Sequence, residues 1–96
     1  MATIDIKRGH GLGVETAKER AAELARDMQS QMGIEWKWEG DRIVFKAASG
    51  MAKGASGAVS VSAADVRVEI DLPLLLRAMK GMIEGKVNEK LDRLLG

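Results

Sequence analysis

A chain of 96 residues with no cysteine is one domain's length, and it excludes disulfides and thiolate-bound metals. Apolar residues make up 46% and charged residues 30%, which is a globular balance and excludes a disordered chain. The net charge is +1 and no basic run exists beyond Lys7-Arg8, which argues against broad electrostatic binding to nucleic acid.

The first alternation is Ile4 and Ile6 against Thr3, Asp5 and Lys7, the period of two that marks a half-buried strand. Gly9-His10-Gly11-Leu12-Gly13 breaks it. From Val14 the period lengthens: Val14, Ala17, Ala21, Leu24, Met28 and Met32 form one helical stripe, with Gly13 as N-cap and Gly33 as the C-terminal stop. Ile34, Trp36 and Trp38 then face one way and Glu35, Lys37 and Glu39 the other. Gly40-Asp41 turns the chain into a second strand with Ile43, Phe45 and Ala47 facing inward, so the pair reads as a hairpin.

Ala48 to Gly57 is glycine-rich, with Gly50, Gly54 and Gly57 set among alanine and serine around Met51 and Lys53, and is expected to be a mobile connection. Val59 and Val61 resume the alternation, Ala63-Ala64-Asp65 turns, and Val66, Val68 and Ile70 alternate with Arg67, Glu69 and Asp71. Alternation this regular predicts an antiparallel sheet with one wet face. Pro73 suits the first turn of a helix running to about Leu95, with a main stripe of Leu72, Leu76, Met79, Ile83, Val87, Leu91 and Leu94. The expected fold is therefore α+β, in the order β-α-β-β-β-β-α, with both helices packed on one face of the sheet.

The closing helix carries more apolar area than that packing requires. At about 100° per residue, Leu74, Leu75, Ala78, Gly81, Met82 and Gly85 fall far from its main stripe. Two glycines inside a helix cost about 1 kcal/mol each relative to alanine. Three readings stand: the second face lies under the glycine-rich loop or against the first helix, it is a contact surface for a partner, a second copy or a hydrophobic particle, or it is an exposed patch with no role. A separate reading makes Trp36, Trp38, Phe45 and Met79 the wall of an acyl-binding pocket.

Chemical motifs are sparse. His10 is the only histidine, and no cluster of His, Cys or carboxylates has the local spacing of a zinc site, so no metal is expected. In a glycine-flanked turn, His10 fits a turn or capping role better than that of a lone general base. Gly50 to Gly57 fails the phosphate-loop spacing and precedes a strand, whereas phosphate cradling uses a helix N-terminus. No cofactor and no catalytic residue is expected. The N-terminus lacks an apolar signal core, no stretch approaches the roughly 20 apolar residues of a membrane span, and the absence of cysteine fits a reducing compartment. Together these predict a cytoplasmic protein.

The opening Ile4-x-Ile6-x-Arg8-x-His10-Gly11-Leu12 is one part of a wider pattern. An alanine-rich helix from Val14, Trp38-Glu39-Gly40-Asp41 before Ile43-x-Phe45, and a Leu-rich helix closing on Leu91-Asp92-x-x-Leu95 follow it. In this order and spacing the chain resembles, over nearly its whole length, the polyhydroxyalkanoic acid system family, the polyhydroxyalkanoate granule-region proteins. The loop from Ala48 to Gly57 departs from the pattern by its length. The resemblance implies a setting in polyester storage rather than a reaction. The expected role is a non-enzymatic accessory protein, with the storage granule or a granule-associated protein as partner, and a homodimer is compatible with it. A long helix over a curved antiparallel sheet is also similar to helix-grip lipid-binding folds, at the level of architecture alone.

Overall fold

The computed structural model describes residues 3–48 and 53–95. Five strands, β1 (Ile4–Gly9), β2 (Glu35–Glu39), β3 (Arg42–Lys46), β4 (Ser56–Val61) and β5 (Asp65–Asp71), form one sheet in the order β1-β5-β4-β3-β2. Every neighbouring pair is antiparallel. Helix α1 (Val14–Met32) links the two edge strands, and helix α2 (Lys80–Leu95) ends the chain.

Register explains why one face of this sheet is dry. Ile4 stands opposite Ile70, Ile6 opposite Val68, Val59 opposite both Val68 and Ile43, and Val61 opposite Val66. All of these are buried. A shift of one residue would turn each of them to water, so the hydrophobic pattern sets the pairing. The other face carries the intervening charges. There Arg67 donates two hydrogen bonds to Asp5, Nε to Oδ1 at 2.9 Å and Nη2 to Oδ2 at 2.6 Å. These bonds hold the Asp5 carboxyl below its ordinary range, against a smaller opposing desolvation.

Helix α1 buries Ala17, Ala21, Leu24, Ala25 and Met28, and α2 buries Ile83, Val87 and Leu91, into the same cluster as the sheet residues. Both helices therefore lie on one face, as the sequence predicts. The α1 stripe is shorter than its periodicity implies: Val14, in the first turn, is 36% exposed. Gly33 ends α1 in the left-handed region at φ 70, its N–H bonded to the Gln29 carbonyl at 3.0 Å.

Two further expectations need correction. Strand β4 begins at Ser56, so Gly57 belongs to the sheet rather than to a mobile loop. A Cβ on Gly57 would clash with the Glu69 backbone carbonyl and lie 2.7 Å from the Phe45 ring. Only glycine lets β5 and the Phe45 ring approach this closely. Ala55 is likewise buried, its carbonyl accepting the Ala47 N–H at 2.8 Å, while residues 49–52 of the expected mobile segment, with Gly50 and Met51, lie outside the described residues.

The closing helix is not α-helical from Pro73. Leu74–Met79 forms a 3₁₀ segment, and the α-helix starts at Lys80. Proline supplies no N–H and no side-chain cap closes this end, while the Leu76 N–H bonds the Pro73 carbonyl three residues back at 2.8 Å. The exposed Leu74 and Leu75 that follow have no packing partner among the described residues that would enforce the wider α geometry.

Candidate contact surface

The 3₁₀ geometry decides which side chains reach water. Residues three apart eclipse one another in such a helix, so Leu76 and Met79 share one ridge, Leu75 and Ala78 a second, Leu74 and Arg77 a third. The first ridge packs partly against the core, and the other two face solvent. Leu74 is 78% exposed and Leu75 is 92% exposed. Met82, 51% exposed, and the exposed glycines Gly81 and Gly85 continue the surface onto α2. Among the described residues no atom beyond the helix's own backbone comes within 4 Å of the position a Cβ would take on either glycine. The six residues singled out from the sequence, Leu74, Leu75, Ala78, Gly81, Met82 and Gly85, are thus all uncovered among the described residues.

A narrow groove borders this surface. Met32 at the end of α1 faces Leu76, Met79, Met82 and Ile83 across it, with Gln31 and Lys86 at its polar margin, and it encloses about 60 Å³. Methionine side chains adapt to irregular contacts because they are unbranched and polarizable.

The four residues proposed as a pocket wall do not surround one hollow. Trp36 and Phe45 are cross-strand partners, and the Trp36 indole donates to Gln29 Oε1 at 3.1 Å. Trp38 lies further along β2 opposite Ile43, and is 38% exposed rather than buried in a core. Met79 lines the other groove. The void between Met28, Phe45, Ile70 and Ile83 measures about 10 Å³. That is barely room for a water molecule, while Trp36 and Phe45 also line an open hollow of about 400 Å³ with Glu35, Lys37, Val44 and Lys46.

Arg8 and His10 are held by structural bonds at the opposite end of the sheet. Arg8 lies on the core side of β1. Its guanidinium bonds Asp92 Oδ1 and, at 2.9 Å, Asn88 Oδ1, tying the edge strand to the last turns of α2. The His10 Nδ1 accepts the Leu12 N–H at 3.3 Å, and Nε2 meets the Ser62 carbonyl at 2.9 Å. The first bond requires an unprotonated Nδ1, so Nε2 is the donor of the second. Lys18 donates to Asp41 at 2.7 Å, and that bond pushes the amine above its ordinary value. Periodicity gave no sign of the Arg8–Asp92 tie, although both residues belong to the pattern on which the family resemblance rests.

An α+β domain with two helices over one sheet face and one apolar end uncovered among the described residues is a class that many families share. Residues 4–95 match the family described as "Putative polyhydroxyalkanoic acid system protein", and the chain belongs to that family. No curated relative and no solved structure matches it. Among the described residues no helix is long and apolar enough to cross a membrane.

Proposed function

We propose that this chain is a non-catalytic accessory protein of polyhydroxyalkanoate metabolism. It works in the cytoplasm by applying its 3₁₀ tip and the start of α2 to the storage granule or to a protein bound there. The observation that carries this reading is the exposure of Leu74 and Leu75, two adjacent large apolar side chains in a chain whose other leucines are at least partly covered. Burying a leucine contributes about 1.5–3 kcal/mol, so two leave a substantial contact energy unused in the isolated chain. The hydrogen-bonded state of Arg8 and His10 favours a structural role for the only histidine.

The test is association with isolated granules. Leu75→Asp and Met82→Asp are expected to abolish it while circular dichroism and the unfolding transition stay those of the parent. Undiminished association of both variants would refute the assignment of this face.

A further inference from the structure

The apolar tip sits among cations that have no carboxylate partner among the described residues, although Arg77 Nε donates to the Leu72 carbonyl at 3.5 Å. The chain has 15 lysines and arginines. Only Arg26, Lys46, Lys53, Arg77, Lys80 and Lys86 make no ion pair among the described residues. Four of these six belong to the tip. Arg77 and Lys80 follow the exposed leucines at the three-residue spacing of Leu74, and Lys86 borders the methionine groove. Lys53 adjoins Gly54, which lies against the Pro73 ring. Between Asp71 and Glu84 the sequence contains no carboxylate.

We propose that the tip docks on an anionic phospholipid surface, with Leu74 and Leu75 entering the acyl boundary and Arg77, Lys80 and Lys53 over the phosphates. Projecting leucines flanked by cations are what an anionic interface selects: apolar burial supplies the insertion, and each cation near such a surface adds electrostatic attraction. A fluid lipid surface needs no complementary shape. A folded protein partner would need a far larger matched area than the narrow groove supplies. The inference rests on the reading of this face as a contact surface and names what it touches.

The full chain, mixed with sedimenting vesicles of neutral phosphatidylcholine or of phosphatidylcholine with phosphatidylglycerol, tests it. Binding is expected to the anionic vesicles and to weaken with added salt. Arg77→Gln and Lys80→Gln should each weaken binding about fivefold, and Leu75→Asp roughly tenfold or more. Arg26→Gln, which removes the same charge from the outer side of α1, should leave it unchanged. Equal binding to both vesicle types, or an Arg26→Gln loss matching that of Arg77→Gln, would overturn the proposal. So would a dimer in light scattering that Leu75→Asp disrupts, with no vesicle binding. A chain that ignores vesicles but still associates with granules defeats the lipid assignment and leaves the contact reading standing. Failure on both defeats both.

Discussion

At one end of the sheet the connections bond to each other; at the other the segment between β5 and α2 presents apolar side chains. Where β1 ends, the His10 ring meets the Ser62 carbonyl, the His10 N–H bonds Ala64, Val61 bonds the Asp41 carbonyl, and Lys18 reaches Asp41 from α1. Arg8 adds the end of α2 to the same assembly. At the opposite end α1 stops at Gly33 and β5 leads through Pro73 into the 3₁₀ segment. No side-chain ion pair forms around that segment among the described residues. The difference teaches how the two ends are built: polar groups at the first end bond to one another, whereas Leu74, Leu75 and Met82 at the second are exposed, which is what the proposed contact would use.

Substitutions can break or sharpen that division. The largest effect is expected in the body shared by both ends. Gly57→Ala forces a methyl against the Glu69 carbonyl and the Phe45 ring, and should lower stability by about 3 kcal/mol in urea unfolding. At the polar end, Arg8→Met removes the bonds to Asp92 and Asn88. A loss of about 1 kcal/mol is expected, discounted for the exposure of Asp92. At the apolar end, Leu75→Ala should change stability by less than about 0.5 kcal/mol. A large loss there would mean that the tip serves the fold after all.

The smallest effect concerns pH. Asp5 titrates below its ordinary value when folded, so its contribution is present above the unfolded pKa and fades as pH falls through the folded one. Stability should therefore rise with pH across the acid range, and Asp5→Asn should flatten that rise slightly. An unaltered acid limb in the variant would show that the Arg67 pairing contributes nothing measurable.

The strands were legible because burial on one face leaves a mark of period two, and each alternating run became a strand in the expected antiparallel sheet. The surplus on the closing helix was legible too, because Leu74, Leu75 and Met82 are apolar at positions the core stripe does not need. Trp38 shows the limit of such marks. Its alternation with Lys37 matches that of Trp36, yet β2 is an edge strand and the helices cover little of its far end. Gly57 shows another: a glycine in a glycine-rich run looks like loop until two strands and an aromatic ring are seen to close on it.

By itself the sequence determined which residues form the sheet's dry face, where α1 stops and which leucines exceed the needs of the core. Those properties depend on neighbours a few positions away. Only the tertiary structure decided the strand order, the 3₁₀ start of the last helix, the Arg8–Asp92 tie and the approach of Gly54 beside Lys53 to Pro73. Each of these depends on groups brought together by folding from distant parts of the chain, or on the absence of a packing partner, and neither leaves a periodic trace.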